Sequence, residues 1–390
     1  MDTNNHHRLV NWEEGMDVRF GNLRQLEDYF IDRLCDSQAM RLTSYTFGLL
    51  PMIGSQGDST EFDISERVTG KVEIRLRRCN ALTRGGCRIS YNPPQGDYLH
   101  HVHNFEESRQ EKSQSSSGGA RFWDVILSVD PYKRIPTGIP HIEETPPRHP
   151  DAMENYRLSV TAQGEINKEQ LGQFYLVIGR IRQSTTGRYE VDTNYIPPCV
   201  SVNSHSDLLR YYEHFGIYLN DIERASKIII SKVRNREKNY PIAENICKIC
   251  EDMMRYIASI YFPYRNIGRE LSPVEMVNYF STLAHTTYIS INFIGKHEKE
   301  EMLKYFYEWS DVTPGSFEEL LSDTLSLIYD HNSIRGMMLR IESFLRLMSE
   351  LWLKLSSLEY IGQHKDNIIV SERRQQVESP KNKGGWTILD

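Results

Sequence analysis

Several places in the sequence bring together residue types capable of chemistry. His100, His101 and His103 follow Asp97 closely enough to suggest metal ligands. In a strand, successive side chains point to opposite faces, so only His101 and His103 share one. No cysteine or second histidine pair stands around them at zinc-site spacing, and the expectation is ordinary surface histidines. Cys247 and Cys250 spell the CxxC of a redox pair. They fall inside a helical heptad rather than at a strand-to-helix corner, which predicts inert buried thiols. Asp330 beside His331 has the composition of an acid–base dyad, but Asn332 and Ser333 follow as natural helix caps and predict a turn. Cys79 and Cys87 flank Gly85-Gly86 and face each other if that stretch is a hairpin; free thiols are expected in a reducing compartment. Lys71, Arg75, Arg77, Arg84 and Arg88 offer a basic stripe, which alternation already explains as the wet face of a strand. There is no P-loop, nucleophile elbow, dinucleotide fingerprint or HExxH in the sequence, so an enzyme has little positive support.

The elements that would carry these residues change character at Tyr189–Ser204, YEVDTNYIPPCVSVNS. Tyr189 and Val191 alternate with Glu190 and Asp192 as in a half-buried strand. Pro197-Pro198 then removes two backbone donors, so no helix interior or central strand runs through them. Asn203, Ser204 or Ser206 can cap a helix beginning near Asp207. Upstream, Leu23, Leu26, Phe30 and Leu34 describe a short amphipathic helix after a break at Gly21, preceded by an extended arm around Trp12. From Lys71 to Arg78 the apolar period is two, and further strands are predicted at Arg121–Val129, Tyr156–Thr161 and Phe174–Ile181. Two long connections separate them: a low-complexity loop from Glu106 to Gly119, and a stiff extended excursion from Pro131 to Pro150.

Downstream, Leu208, Tyr212, Phe215, Leu219, Ile222, Ser226, Ile229 and Val233 recur at alternating steps of four and three, a continuous apolar seam along one helix. The same pattern returns in Ile242, Ile246, Ile249, Met253, Tyr256 and Ile260, and again in Ile334, Met338, Ile341, Leu345, Met348, Trp352 and Leu355. Pro273–Ile291 and Ser316–Ile328 add shorter helices. Burying a Leu or Ile is worth roughly 1.5–3 kcal/mol, so these seams require partners, in the same chain or another. Helices joined by short polar turns make a bundle.

At 390 residues the chain can bury a sizeable core divided among two or three domains. A formal charge of −7 gives no general attraction for nucleic acid. The N-terminus lacks the pattern of a secretory signal, and the best apolar run, Ile257–Phe262, is stopped by Pro263, so direct membrane insertion is not expected and a cytoplasmic location is. Six cysteines over this length are too few for a disulfide framework.

Three stretches in order carry a family resemblance. Trp12-Glu13-Glu14-Gly15-Met16 resembles an opening W-x-E-G-M signature, Ile196-Pro197-Pro198-Cys199 an IPPC run after an acidic strand, and Tyr329-Asp330-His331 a Y-D-H turn between late helices. Together they resemble the TssK family, baseplate subunits of bacterial type VI secretion systems, across residues 8–356. The resemblance implies an α+β, homotrimeric protein without cofactor, with a β-sandwich-like shoulder followed by a helical-bundle neck. It further implies a structural adaptor that binds the wedge proteins TssF and TssG and a membrane-side partner. On this sequence the expected division is an arm and short helix at 1–38, a shoulder at 39–202, a neck at 203–358 and a tail at 359–390. Leu208, Tyr212, Phe215, Leu219, Ile222, Ile229 and Val233 become the trimer or bundle seam, and Trp12, Leu23, Leu26 and Phe30 the shoulder's anchor or partner interface. The family continues into a head domain where this sequence has only Glu359–Asp390, which leaves the membrane-side partner open; the final Trp386-Thr387-Ile388-Leu389 is a candidate docking peptide. The alternatives are a phage-like tail or receptor-binding protein with a carbohydrate-binding sandwich, and a metal enzyme centred on His101 and His103.

Overall fold

The computed structural model describes residues 7–51, 58–68, 70–94, 96–105, 121–310 and 312–365. The Glu106–Gly119 stretch and the Trp386–Leu389 peptide lie outside them. The chain is an α+β protein, strand-rich up to Val191 and helical after it. It forms two compact units. The first comprises Met1–Glu213, Pro263–Asn278 and Ile328–Leu339; the second His214–Phe262, Tyr279–Leu327 and Arg340–Asp390.

The first unit holds two antiparallel sheets. One contains β1 (Gly48–Leu49), β2 (Thr60–Val68), β3 (Lys71–Leu82), β4 (Arg88–Tyr91) and β5 (Leu99–Asn104), all gathered on β3. The other runs in the order β7 (Asp151–Ala162), β6 (Phe122–Thr137), β8 (Tyr175–Gln183) and β9 (Tyr189–Val191). Aromatic side chains join their inner faces: Phe105 stacks on Tyr189 at 4.2 Å and meets Trp123 edge-on at 4.7 Å, while Tyr91 lies 5.5 Å from Tyr156. Phe62 covers Gly179 so closely that a Cβ there would come within 2.3 Å of the ring. The result is a sandwich of two sheets, one of the two arrangements that short alternating strands allow, the other being a partly closed barrel.

The expected alternation holds in β3, where Val72, Ile74 and Leu76 are fully buried. Its opposite face is drier than expected. β2 and β5 flank β3 on both sides over this stretch, and Glu73 is buried there, accepting from Nε and Nη2 of Arg75 at 3.0 and 2.7 Å. The Pro131–Pro150 excursion is also different. β6 continues through Pro131 to Thr137, and the connection to β7 is reduced to the residues between them. Pro131, Tyr132 and Lys133 form a bulge where the β6–β7 pairing skips from Asp130 to Arg134, so the proline displaces no ladder bond. Asp130 Oδ1 accepts from the backbone N–H groups of Tyr132 and Lys133 at 3.1 and 3.2 Å and closes the bulge.

The first helix, α1 (Phe20–Ala39), is longer than the predicted Leu23–Leu34, and Gly21 lies inside it. Its start is fixed by Asn22, whose Oδ1 accepts from Arg19 N–H at 3.1 Å. After α2, a single turn at Lys168–Leu171, come α3 (Ser206–Arg234), α4 (Pro241–Ile267), α5 (Pro273–Asn292), α6 (Lys296–Ser310), α7 (Pro314–Leu325) and α8 (Ile334–Ser357). Three of these open on proline, which fits the first helical position because its missing N–H would have no partner there. In the second unit Phe215 of α3 meets Phe280 of α5 at 5.0 Å, and Phe306 of α6 meets Phe317 of α7 and Trp352 of α8 at 5.6 and 5.8 Å. Tyr256 Oη donates to Tyr279 O at 2.7 Å, tying α4 to α5. Lys232 Nζ donates to Ser356 O at 2.7 Å and to Leu358 O, tying α3 to the end of α8. Among the described residues, no helix is long and apolar enough to cross a membrane.

Position 48 in the first unit permits only glycine. Gly48 has φ +122°, and a Cβ on it would lie 2.1 Å from Pro198 O. Gly48→Ala should therefore force both a left-handed backbone and a backbone clash, lowering stability by about 3 kcal/mol. Urea unfolding should register this as a lower midpoint with unchanged slope; an unchanged midpoint would mean that Gly48 and Pro198 do not approach in this way.

Candidate functional site

Two of the sequence motifs meet around β1. The prolines of Ile196-Pro197-Pro198-Cys199 have no N–H to donate, so the segment pairs through what remains. Pro198 O accepts from Leu49 N–H at 2.7 Å, and Val200 N–H donates to Leu49 O at 2.9 Å, a parallel bridge centred on Cys199. From the other direction, His331 Nε2 donates to Phe47 O at 2.7 Å, and their rings meet edge-on at 4.9 Å. Because a carbonyl only accepts, Nε2 carries the proton, and Nδ1 accepts from Tyr329 Oη at 2.8 Å. Phe47–Leu49 is thus held at Leu49 by IPPC and at Phe47 by Y-D-H.

A second lock lies beside it. Arg335, in the first turn of α8, donates to Asn194 O at 2.9 Å and Thr193 O at 3.1 Å and pairs with Asp207 of α3. Asp58 accepts from the backbone N–H and, at 3.0 Å, from the hydroxyl of Ser206, capping α3 from outside the helix. A concavity of about 400 Å³ opens here, lined by Asp58, Phe62, Arg180, Asp192, His205 and Asp207 among others. Arg180 pairs with Asp124 at 2.9 Å and lies 4.3 Å from the Tyr195 ring. Asp58, Arg180 and Asp207 are thus engaged in holding the fold.

The candidate chemistry resolves in the same way. The Asp330–His331 dyad is not formed: both ring nitrogens of His331 are occupied by Tyr329 and Phe47, and Asp330 caps the turn by accepting from Asn332 N–H at 2.9 Å. Burial holds His331 below the ordinary histidine range, with the Phe47 carbonyl and Asp330 acting in the opposite direction. His101 and His103 share a face of β5 with ring centroids 6.1 Å apart, but they are half-buried rather than on the surface, and burial pushes His103 down to about 4. Among the described residues no group of three or more His, Cys, Asp or Glu could hold a metal. Cys247 and Cys250 are buried within α4, and burial pushes Cys250 up to about 12, which keeps it a thiol. Cys79 pairs with Tyr91 across β3–β4, and Cys87 lies in the turn, so these two do not face each other. All six cysteines are free thiols.

The candidate interface residues lie on a helix whose faces are reversed. Leu23 and Phe30 of α1 are 49% and 54% exposed, Leu26 is half-buried, and Trp12 in the preceding arm is 46% exposed. The sequence reading missed Phe20, 77% exposed on the same helix. The buried side of α1 is Asp28, Asp32 and Cys35. Arg134, at the end of the β6 bulge, pairs with Asp28 at 2.8 Å; Tyr132, within the bulge, donates to Asp32. His7 approaches Asp32 with its backbone N–H and with Nδ1 at 3.0 Å. Burial alone would raise the Asp32 carboxyl, but these hydrogen bonds outweigh it and hold Asp32 below its usual range. The signal for this arrangement was the i, i+4, i+7 stripe Asp28, Asp32, Cys35. Its partners lie roughly a hundred residues away, beyond the reach of local periodicity.

Of the seam residues on α3, Leu208, Phe215, Leu219, Ile222, Ile229 and Val233 are buried within the single chain, and Tyr212 is half-buried. Tyr212 Oη donates to Tyr264 O at 2.9 Å with the two rings stacked at 4.7 Å.

No protein-family model and no curated protein matches the sequence. Solved structures with a similar course of chain are those of TssK. A crystal structure of TssK is 12% identical, with a TM-score of 0.49, over 89% of this chain and 69% of that one. A cryo-electron microscopy structure of the type VI secretion system TssK-TssF-TssG baseplate subcomplex gives 13%, 0.46, 88% and 98%. The baseplate complex from the type VI secretion system gives 13%, 0.48, 87% and 99%.

His331 makes stability depend on pH. Its folded-state pKa lies below the ordinary 6.5, so between the two values the unfolded chain binds more protons. Stability is then present above 6.5 and lost as pH falls through this window, at no more than about 1.4 kcal/mol per pH unit for one site. His101, His103 and His205 are shifted the same way, so the test is a difference. His331→Gln should lower stability at pH 7.5 by about 2 kcal/mol and flatten the loss between pH 6.5 and 5, read by urea unfolding across pH. Parallel curves for the two proteins would show that His331 is not buried neutral.

Proposed function

We propose that this chain is a structural adaptor of the TssK kind in a type VI secretion baseplate, a non-enzymatic subunit acting in the cytoplasm. The reading rests on one observation above others. Ile196–Cys199 and Tyr329–His331, which carry the resemblance from opposite ends of the helical half, grip the same short segment, Phe47–Leu49, the first through Leu49 and the second through Phe47. Sequence motifs that turn out to be two halves of one structural clasp are what a shared architecture requires. A chance likeness has no reason to place them together.

In this reading residues 1–38 and 39–202 are the arm and shoulder that engage the wedge proteins TssF and TssG. Residues 203–358 are the neck, and 359–390 a tail on the side of an unidentified membrane-side partner. The wedge contact is assigned to the outer face of α1, where Leu23 and Phe30 stand out with Trp12 preceding them. Apolar side chains grouped on one helix face mark a protein contact far better than the same residues scattered singly. The seam of α3 holds the bundle of each copy. Contacts between three copies are assigned to residues outside it, with Ile217 and Ile228 of α3, 57% and 40% exposed, the first candidates.

Three variants separate these assignments. Leu23→Glu with Phe30→Glu should abolish co-purification with TssF and TssG and leave the trimeric mass by light scattering unchanged, with stability altered by no more than about 0.5 kcal/mol per site. Retained co-purification would remove α1 from the wedge contact. Ile217→Glu with Ile228→Glu should yield a folded monomer. Phe215→Glu, which buries a charge in the bundle, should instead cost several kcal/mol and unfold the helices by circular dichroism. A wild-type monomer that ignores both wedge proteins would contradict the whole reading.

A further inference from the structure

The C-terminal half of α1 rests on the turn between β3 and β4. A Cβ on Gly86 would lie 2.2 Å from Cys35 O and 2.8 Å from Ala39 N, so the backbones touch where only glycine fits. The turn itself is fixed. Thr83 N–H donates to Cys87 O at 2.9 Å, Thr83 Oγ1 accepts from Cys87 N–H at 3.0 Å, and Gly85 N–H donates to Gln173 O at 3.0 Å. This contact brings together the side chains of Cys35 and Cys87, 52 residues apart in sequence, closely enough that each thiol perturbs the other. The two residues are 8% and 5% exposed, which keeps other protein thiols from them.

We propose that Cys35 and Cys87 form an oxidisable pair, operated by a hydroperoxide, that staples α1 to the β3–β4 turn. The two thiols are chemically unequal. The hydrogen bond from Cys87 holds Cys35 below the ordinary thiol range against burial and the nearby Asp32 and Asp36, whereas the same contact and burial push Cys87 up. Cys35 is therefore the nucleophile and Cys87 the resolving thiol. The Cys35 thiolate attacks one peroxide oxygen, the O–O bond breaks, and the leaving oxygen takes a proton and departs as water or an alcohol. Cys35 is left as a sulfenic acid, oxidised by two electrons. Cys87 sulfur then attacks Cys35 sulfur, the S–O bond breaks, and the hydroxyl leaves as water with the proton of Cys87. One peroxide is consumed for each S–S bond formed.

The staple is independent of what α1 binds, because it concerns the buried side of the helix. The test uses the full-length protein, reduced, freed of reductant and treated with a small excess of hydrogen peroxide. It is then quenched in acid, unfolded in N-ethylmaleimide and digested for mass spectrometry. The expected products are a Cys35–Cys87 cross-linked peptide, four alkylated thiols in place of the six of the reduced chain, and recovery of six after dithiothreitol. In the oxidised protein, amide exchange in the second half of α1 should slow at least about tenfold. Cys87→Ser should leave Cys35 as a sulfenic acid that dimedone labels. Should that variant fail to fold, the wild-type peptide map decides alone. Six alkylatable thiols after peroxide, a cross-link between any other pair, or sulfinic acid at Cys35 without a cross-link would each overturn the proposal.

Discussion

The first unit depends on satisfying the backbone of a strand only two residues long. Gly48 and Leu49 of β1 lie against β3 on one side, and the polar groups from Phe47 to Leu49 must find partners without the help of a longer ladder. Pro197 and Pro198 cannot donate, yet the segment they belong to still offers the carbonyl of Pro198 and the N–H of Val200, which are the two groups Leu49 needs. Phe47 O is left over, and the imidazole of His331 reaches it with its one proton. Each group serves one place. A residue larger than glycine at 48 would close the gap, and a protonated imidazole would lose its bond from Tyr329. Three segments distant in sequence are thereby fixed in register by four hydrogen bonds, counting that from Tyr329.

α1 obeys a different balance. Leaving Leu23, Phe30 and Leu34 exposed forgoes roughly 1.5–3 kcal/mol each, which by itself would turn the helix over. What opposes this is the cost of carboxylates whose partners are already buried. Arg134 and Tyr132 project from the β6 bulge, and rotating α1 outward would strip them of Asp28 and Asp32 and leave a guanidinium without its carboxylate. The paired charges set the orientation of the helix, and the apolar stripe is carried outward as a consequence. The bulge matters because it inserts Pro131, Tyr132 and Lys133 without partners in β7, so Tyr132 and Arg134 can serve α1 without breaking the sheet.

How much of this was legible in the sequence follows from the range of the forces. Ile334, Met338, Ile341, Leu345, Met348, Trp352 and Leu355 are all fully buried, because helical periodicity is a local property that burial of one face directly rewards. The strands were legible in kind but too short at their ends. β6 runs on past Val129 to Thr137 because β7 opposes it, and pairing of that sort leaves no mark in a single stretch. α6 was missed because Lys296–Glu301 reads as a charged loop, although Met302, Phe306 and Trp309 follow at steps of four and three and are buried. The burial of Glu73 was misread because alternation gives sides and not depths. For the site, the residues of α1 were legible and their outward direction was not, since that depends on Arg134.

The residues that looked chemical share a fate that bears on function. His331 fills both ring nitrogens with structural partners, Asp32 is saturated by Tyr132 and His7, and Arg180 and Arg335 are spent on ion pairs and carbonyls. A general acid or base needs a lone pair or proton directed at a substrate, and these groups direct theirs at the chain itself. Rigidity is the gain: buried, satisfied polar networks define one arrangement where an apolar core tolerates several. Such a framework suits a protein whose work is to hold surfaces at fixed positions, and α1 displays its apolar side chains on just such an anchored base. Specificity in that setting comes from the shape of what is displayed, and the buried carboxylates decide which side of the helix that is.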